Sequence, residues 1–403
     1  MFQKRLCLMF VLAASSASAL AAQSSLVGFT ETTPLITRQD PSTCAMLPCM
    51  PAMAPAPDPR FGGAAYDPRT RGLWVTNGLL LAKFDPRDCS VQCLPMPAPN
   101  TGLANAITGL AYNEVGDLLY MTDMSGTIRW YSTAGGCAPT LVGRCMPPLG
   151  PGETLTGCAT DDRQGLVFYC TATPGTAGGT IYVALRSDPC AALCRFTIDS
   201  CGGSPFGLMR GLAFDACRSA IWATDGTRTV GAQFDRATCT AREFQCCPNT
   251  TGDPLVGLCI LPAQETSAGV SCTSAPCAPC PTLNHSLGAD PTIGNAAFSL
   301  DVDGAPANSR AFLLLNAGPC APIPIGGFCG PIQVPPVGWV VLGPSATGGI
   351  GACDGAVSTP LPLPNSAALC GAVLCSQYIG LCVTPVATGT WMTNGLTWEI
   401  SAS

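Results

Sequence analysis

The sequence predicts an all-β protein, and three features of its composition support this prediction. The 403 residues include 45 glycines and 38 prolines, which is typical of many short strands joined by turns. Only 11% of the residues are charged, compared with about 25% in an ordinary soluble protein. The 26 cysteines are too many for a catalytic role and indicate a disulfide-rich chain. At roughly 150 residues per domain, this length predicts two or three domains.

Residues 1–22 have the pattern of a secretory signal peptide. Lys4 and Arg5 precede an apolar run over residues 6–14, and small residues follow it. The run is about half as long as the roughly 20 residues that cross a bilayer, so we favour cleavage over an uncleaved anchor. We therefore expect a secreted protein, extracellular or periplasmic, in a compartment where disulfides persist. Cys7 would be lost with the leader, which leaves an odd number of cysteines and at least one without an intramolecular partner.

Charge and hydropathy exclude several kinds of partner. The 19 basic residues form no cluster, so we expect neither nucleic acid nor an anionic membrane surface to bind. No segment after the leader has about 18 uninterrupted apolar residues, so we expect no transmembrane segment. His285 is the only histidine, and Lys4 and Lys83 are the only lysines, which leaves few candidates for general acid–base catalysis.

A sequence repeat covers residues 27–262. Four segments align without a gap, and they begin at Gly63, Gly109, Gly157 and Gly211. Each starts as Gly-φ-Ala-φ-Asp or a close variant, where φ is an apolar residue, and a second apolar run starts ten residues after the glycine. The two runs predict a β-hairpin, and a third strand follows after a Gly-containing turn. Four-stranded units of roughly 40 to 50 residues are typical of β-propeller blades.

The two ends of this region predict how the propeller closes. Residues 35–44 are similar to the outer half of the unit that follows them, and Leu255–Leu261 offers the missing inner half. Joining the first and last segments in one blade would close the ring and hide sheet edges that otherwise promote aggregation. We therefore predict five blades, with six as the alternative.

The repeat motifs resemble those of NHL and YWTD β-propellers, whose units pair a Gly-φ-Ala-φ-Asp strand with a second strand that ends in Thr-Asp or Ala-Asp. The resemblance is clear in the four units and implies the propeller fold. It implies little about activity, because propellers include both enzymes and binding proteins.

From residue 283 onward, short alternating apolar segments replace the repeat. About seven such segments predict an antiparallel β-sandwich. Part of this region resembles a C-terminal module of large secreted bacterial proteins, which implies attachment or display. The matching segments are 303–309, 312–315, 361–365 and 393–396. The predicted organisation is a signal peptide (1–22), a β-propeller (23–262), a connector rich in Cys, Pro and Ser (263–282) and a β-sandwich module (283–403).

The cysteines of the propeller recur around its hairpins, and we predict disulfides within each blade. In the third unit, the offsets from the glycine place Cys158 opposite Cys170, which predicts a cross-strand disulfide. The other predicted pairs would hold the outermost strands in place. They are Cys44 with Cys49, Cys89 with Cys93, Cys137 with Cys145, and Cys239 with Cys246 or Cys247.

Cys277 and Cys280 have the spacing of a thioredoxin-type redox pair. Such a pair opens a helix after a strand, because the helix N-terminus lowers the thiol pKa. These two cysteines lie in the connector, so we predict a structural disulfide between them. Zinc binding by these two with Cys272 is the alternative. A calcium loop at residues 301–304 would lack the rest of an EF-hand, and we otherwise expect no cofactor.

The predicted ligand site lies on one face of the propeller, around the central channel. There the loop that enters the innermost strand meets the loop that leaves the second strand. The candidate residues are Arg60, Asn77, Thr108, Asp123, Thr156, Arg210 and Asp225. The competing interpretation is structural, since Asp and Asn side chains stabilise turns by accepting hydrogen bonds from nearby backbone N–H groups.

We weigh three functions and favour the first. It is a secreted, non-catalytic binding or structural protein of the cell surface or matrix, with an unidentified protein or carbohydrate ligand on the propeller face. The second is a metal-dependent hydrolase, similar to the lactonase relatives of this propeller type, with its site in the channel. Such a site usually needs a Glu there, and the matched first-strand segments contain none. The third is a redox protein that uses Cys277 and Cys280.

Overall fold

The structure is a computed structural model, which describes residues 25–31, 36–39, 46–49, 62–86, 89–99, 105–261, 265–383 and 385–401. These residues contain β-strands and short 3-10 turns, and no α-helix. Five four-stranded antiparallel sheets form a β-propeller, and a seven-stranded and a three-stranded sheet form a β-sandwich after it. The predicted fold class is therefore confirmed.

Each blade is one four-stranded sheet. Three N-terminal strands belong to the blade that closes the ring: β1 (Ser25–Thr30), β2 (Ile36–Gln39) and β3 (Met46–Cys49). The second blade contains β4 (Gly63–Asp67), β5 (Gly72–Thr76), β6 (Leu80–Phe84) and β7 (Val91–Pro97), and the third contains β8 (Ile107–Asn113), β9 (Leu118–Asp123), β10 (Ile128–Ser132) and β11 (Thr140–Cys145). The fourth blade contains β12 (Thr154–Asp161), β13 (Leu166–Ala172), β14 (Gly179–Leu185) and β15 (Asp188–Ile198). A small hairpin of β16 (Ser200–Cys201) and β17 (Ser204–Pro205) follows it and leads to the fifth blade, which contains β18 (Gly211–Asp215), β19 (Ala220–Thr224), β20 (Arg228–Asp235) and β21 (Thr240–Pro248).

The ring closes by joining the two ends of the propeller. The strand β22 (Leu255–Leu261) pairs antiparallel with β1, so the closing blade has the order β22-β1-β2-β3. The innermost strands β4, β8, β12, β18 and β22 contact one another in that order, and β22 contacts β4. The propeller thus has five blades, and the predicted role of Leu255–Leu261 as the inner strand of the closing blade is confirmed.

Five glycines bring the innermost strands together at the propeller axis. They are Gly63, Gly109, Gly157, Gly211 and Gly257. A Cβ atom added to Gly109 would lie 2.5 Å from the Cα of Gly157, and one added to Gly257 would lie 2.4 Å from the Cα of Gly63. The other three meet backbone atoms of the next strand at 2.7 to 3.1 Å. Only glycine allows this approach, because any side chain would collide with the neighbouring backbone.

The Asp or Asn that ends each repeated inner strand stabilises the turn that follows. Asp67, Asp161 and Asp215 each accept hydrogen bonds through Oδ1 from the backbone N–H groups two and three residues later, at 3.0 to 3.4 Å. Asn113 Oδ1 accepts one from Gly116 N–H at 2.9 Å. The repeated acidic position is therefore a turn-forming one, as its chemistry favours.

Disulfides link neighbouring blades, so three predicted pairs are wrong: Cys89 with Cys93, Cys137 with Cys145, and Cys239 with Cys246 or Cys247. The observed bonds are Cys93–Cys137, Cys145–Cys190, Cys194–Cys239 and Cys201–Cys246. The first three bonds join cysteines that are 44, 45 and 45 residues apart in sequence, which is about the length of one blade. Each of these bonds joins an outermost strand to the turn or strand end at the rim of the following blade, because those two segments lie side by side at the perimeter. Cys89 is disulfide-bonded, but not to Cys93. Cys44 lies outside the described residues, as does the side chain of Cys49.

Cys158 and Cys170 are free, buried thiols and do not form the predicted bond. A β-bulge between Leu155 and Gly157 shifts the register, so Cys158 lies opposite Tyr169 and Gly157 opposite Cys170. A shift of one residue turns a side chain to the other face of its sheet. Cys158 therefore packs in one interblade core and Cys170 in the next. With Cys259, they are the free cysteines of the described chain, which agrees with the expectation of at least one.

The sandwich follows the propeller. Its larger sheet contains β23 (Thr266–Ala268), β24 (Cys272–Thr273), β27 (Arg310–Ala317), β28 (Val340–Ala346), β30 (Val373–Val383), β31 (Thr388–Met392) and β32 (Gly395–Glu399). The smaller sheet contains β25 (Asn284–Leu287), β26 (Ser299–Ala305) and β29 (Gly355–Pro360). The fully buried Trp391 and Trp398 lie in the core between them. Segments that we assigned to the connector thus form strands of the larger sheet.

The cysteines of the connector form disulfides with the body of the sandwich. Cys277 bonds to Cys382 and Cys280 to Cys353, so the predicted Cys277–Cys280 disulfide is wrong. Cys272 bonds to Cys329, which leaves no thiolate in this group for zinc. Because all three cysteines are bonded to distant partners, neither the redox pair nor the zinc site is present.

The sandwich covers the end of the propeller at which the inner strands finish. Cys217, in the turn after β18, bonds to Cys370 of the sandwich. Arg71, in the turn after β4, pairs with Glu265 at 3.4 Å and with Asp290 at 3.1 Å. A covalent bond and an ion-pair network therefore hold the sandwich against one end of the propeller, which we call the covered end.

We predict that Gly109→Ala prevents the ring from closing normally. The new methyl group would meet backbone atoms, which cannot move aside as a side chain can, so we expect a loss of about 3 kcal/mol or more in the free energy of unfolding. Thermal or urea unfolding measures this loss. Gly135→Ala is the control, since its Cβ would meet nothing closer than 3.6 Å, and it should change stability by less than about 0.5 kcal/mol. Equal effects of the two changes would contradict the role of the glycine ring.

Candidate functional site

The end of the propeller opposite the sandwich carries the predicted site residues. We call it the free face and define it by the turns between the second and third strands of the blades. These turns are residues 77–79, 124–127, 173–178 and 225–227. Turns of this kind lie beside the start of the innermost strands, so the free face surrounds the end of the channel that the five glycines close.

Asp225 is the most extensively bonded of the predicted residues. Its carboxylate accepts hydrogen bonds from the N–H groups of Gly207 at 2.9 Å, Thr227 at 2.9 Å and Arg228 at 2.7 Å. It also pairs with the Arg228 guanidinium at 3.0 Å. Burial by itself would raise the pKa of Asp225, but these hydrogen bonds hold the pKa below its usual value. The side chain is therefore an ionised, fully bonded centre of its turn.

Asp123 and Asn77 have the same role in two other blades. Asp123 Oδ1 accepts hydrogen bonds from the N–H groups of Ser125 at 2.9 Å and Thr127 at 3.2 Å, and its other oxygen pairs with Arg129. Asn77 Oδ1 accepts hydrogen bonds from two N–H groups of the following turn at 3.1 and 2.8 Å. All three side chains are buried. They support the turns of the free face from within, as the structural interpretation expects.

Of the remaining predicted residues, Thr108 and Thr156 are buried, Arg210 is half-buried, and Arg60 lies outside the described chain. Thr108 bonds to the Thr122 hydroxyl at 3.2 Å. Arg210 pairs with Glu31 at 2.8 Å, which links the last repeated blade to the closing blade. The structure thus brings the described candidates to one face, and ligand binding by them stays a prediction.

Sequence reasoning missed two acidic residues at the covered end. The matched first-strand motif ends four residues after each glycine, whereas Glu114 and Asp162 come five residues after Gly109 and Gly157. Both line a cavity at the wide end of the channel. The matched first-strand segments contain no Glu, but Glu114 lies one residue beyond them and lines the channel end. The sequence contains a signal for these two residues. The residue that follows the turn-forming Asp or Asn lies at the same end of every blade, so acidic residues at that position come together at the covered end.

Other sites suggested by the sequence are not assembled in the described part of the chain. No group of three His, Cys, Asp or Glu side chains within it has a geometry suited to a metal ion. In the segment 301–304, Asp301 accepts a hydrogen bond from Ser299 at 3.0 Å, and Asp303 is exposed. None of the helices in the described residues is long and apolar enough to span a membrane.

The fold and the site define a disulfide-linked five-bladed β-propeller with a β-sandwich attached to one end. No family model matches the sequence, and no curated protein is similar to it in sequence. Among solved structures, a chain of a nidogen/laminin complex is similar over 60% of this chain and 99% of its own, with 15% identity and a TM-score of 0.39. The Cps50 (Swd1) β-propeller domain of Myceliophteria thermophila is similar over 72% and 82%, with 9% identity and a TM-score of 0.33.

We predict that Asp225→Asn destabilises the protein in a pH-dependent way. The depressed pKa of Asp225 means that its contribution is present above the pKa of an unfolded Asp, about 3.9, and is lost as the pH falls through the folded pKa. We therefore expect the variant to lose about 1–3 kcal/mol at pH 7, with a smaller difference from wild type below about pH 4. Unfolding measured at both pH values tests this. Asp303→Asn, at an exposed position, is the control, and a pH-independent loss for Asp225→Asn would contradict the assignment.

Proposed function

We propose that this chain is a secreted, non-catalytic binding protein whose free face receives a protein or a carbohydrate. The observation that carries the proposal is the asymmetry of the propeller. The described residues of the sandwich cover one end through Cys217–Cys370 and through Arg71, and the turns of the free face lie at the opposite end. In this arrangement the sandwich would attach or display the propeller, as its resemblance to a module of secreted bacterial proteins implies.

The rigidity of the free face supports this proposal. Its turns are held by buried Asp and Asn side chains, and the outer strands behind them are joined from blade to blade by disulfides. Binding to a rigid surface loses little conformational entropy, so a modest set of contacts is sufficient for affinity. The predicted signal peptide and the disulfides both support a location outside the cytoplasm.

The chemistry of the titratable residues also favours binding over catalysis. His285 is only 3% exposed and lies within the sandwich. Burial lowers the pKa of His285 to about 4, so the side chain is neutral near pH 7. A metal-dependent hydrolase in the channel is the alternative, and it requires three or more oxygen ligands around one ion.

We predict that blocking the free face abolishes binding, whereas blocking the sandwich does not. Thr176→Cys places a thiol on an exposed turn of the free face, and Asp303→Cys places one on an exposed strand of the sandwich. Each variant is labelled with a bulky polyethylene glycol maleimide. The native free thiols Cys158, Cys170 and Cys259 are buried, and burial raises the pKa of each, so they should not react. Binding to immobilised polysaccharides and extracellular matrix proteins is then compared.

The expected result is binding by the wild type and by the labelled Asp303→Cys variant, with at least tenfold weaker binding by the labelled Thr176→Cys variant. Equal binding by both labelled variants would move the site away from the free face. Metal analysis of protein purified without chelator distinguishes the hydrolase alternative from this proposal. A stoichiometric metal ion, lost together with hydrolytic activity on chelation, would replace this proposal with the hydrolase.

A further inference from the structure

A chamber of about 210 Å³ lies between the covered end of the propeller and the sandwich. Its walls are the halves of the five innermost strands that lie nearer the covered end. They include Leu110, Ala159, Leu212 and Leu258. The five glycines close the channel above it, and the segment Leu287–Thr292 of the sandwich lies below it. The chamber is therefore a defined cavity between two linked domains, separate from the free face.

The size and lining of the chamber fit the apolar part of a small organic molecule. Its walls are mostly apolar, and about 150 Å³ of apolar cavity is enough to hold a benzene ring. Cys158 and Cys259, two of the free thiols, are also part of the wall. An apolar group of one ring could thus leave water and fill most of this space.

The mouth of the chamber is acidic. Glu114, Asp162, Glu265 and Asp290 lie there with a single guanidinium, that of Arg71. Arg71 is already paired with Glu265 and Asp290. Asp162 accepts hydrogen bonds from Asn113 and from Glu114 N–H, and Arg186 reaches it only at 3.8 Å. The carboxylates therefore outnumber the cationic groups that line the mouth.

Glu265 at the mouth has one buried oxygen, Oε2, without a hydrogen-bond partner, and Glu114 is less satisfied still. Its carboxylate has neither a hydrogen bond nor an ion pair with any of the described residues. It lies both in the chamber and in an outer cleft, which Arg69, Asn295 and Asn365 help to line. Burial raises the pKa of Glu114, and the nearby carboxylates of Asp162 and Asp290 raise it further, whereas the guanidinium of Arg69, which pairs with Asp117 at 3.3 Å, lowers it. A cation at this point would offset the repulsion among the three carboxylates.

We propose that the chamber binds a small protonated amine with an apolar body of about one ring. The ammonium group would bind at the carboxylate of Glu114, and the ring would lie against the apolar walls. An anion would be repelled at the mouth, and a neutral apolar molecule would leave Glu114 without a partner. A divalent cation would need several converging oxygens, and the described residues do not bring three carboxylates together in that way.

The experiment compares benzylamine with benzyl alcohol, which has the same ring but no charge at neutral pH. Isothermal titration calorimetry is performed on the full secreted chain. We expect benzylamine to bind at least about tenfold more tightly, because a charge-assisted hydrogen bond contributes more than a neutral one. Glu114→Gln should remove this preference while benzyl alcohol binds as before. Asp303→Asn, at an exposed acidic position, should leave both affinities unchanged.

Two further measurements locate the ligand. Ala216→Phe, at the mouth of the chamber, should abolish binding of both compounds in protein whose thermal unfolding is unchanged. The second measurement needs no variant. It follows the rate at which methylmercury reacts with Cys158 and Cys259, which saturating benzylamine should slow. The polyethylene glycol label at position 176 should leave benzylamine binding unaffected, which keeps this test independent of the proposed function.

Several outcomes would overturn the proposal. These are no binding of benzylamine, equal affinity for the amine and the alcohol, or an amine affinity that Glu114→Gln leaves unchanged. Tight binding of Ca²⁺ that competes with benzylamine would assign the mouth to a metal ion instead. Thiols that react with methylmercury at the same rate with and without benzylamine would place the amine outside the chamber.

Discussion

The contact of five glycines at the propeller axis determines much of the rest of the structure. Because Gly257 approaches Gly63 as closely as Gly109 approaches Gly157, the last strand of the propeller is fixed next to the first inner strand, and the ring holds five blades. The same contact closes the channel on the side of the free face. A cavity lies at the other end of the inner strands, and the sandwich covers it.

The perimeter of the propeller depends on a different interaction. Inner strands such as β8 and β18 are buried throughout, whereas outermost strands expose apolar side chains, including Leu94 at 75% and Phe244 at 48%. These outermost strands gain little stability from the burial of apolar side chains. Disulfides between blades supply part of the missing stability. In the chain-entropy description, a bond that closes a loop of 45 residues stabilises a fold by about 4 kcal/mol. The axis is thus held by close packing and the perimeter by covalent bonds.

The repeat was predictable because it arises from local chemistry. Glycines at the axis and Asp or Asn at the turns act within a few residues of chain, so they leave a regular pattern in the sequence. The disulfides could not be predicted in the same way, since their partners are neighbours only across blades. Their spacing of 44 or 45 residues is nevertheless close to one repeat, which is a usable signal for bonds between blades. The pairing of Cys158 with Cys170 failed for a subtler reason, because one bulged residue reversed the face of the sheet.

The candidate sites show how a repeat separates structural from functional positions. The Asp or Asn four residues after each glycine is committed to its turn, and so are Asp123 and Asp225 on the free face. The residue five positions after each glycine lies at the covered end and does not form the turn in this way. Its identity differs among the blades. The residues at this position are Pro68, Glu114, Asp162 and Ala216, and all four line the chamber. Since this residue follows the inner strand in each of these blades, two acidic and two apolar side chains give this ring of positions an acidic side and an apolar side. That asymmetry, which the regular part of the repeat cannot provide, is what suits the chamber to a ligand with one charged end and one apolar end.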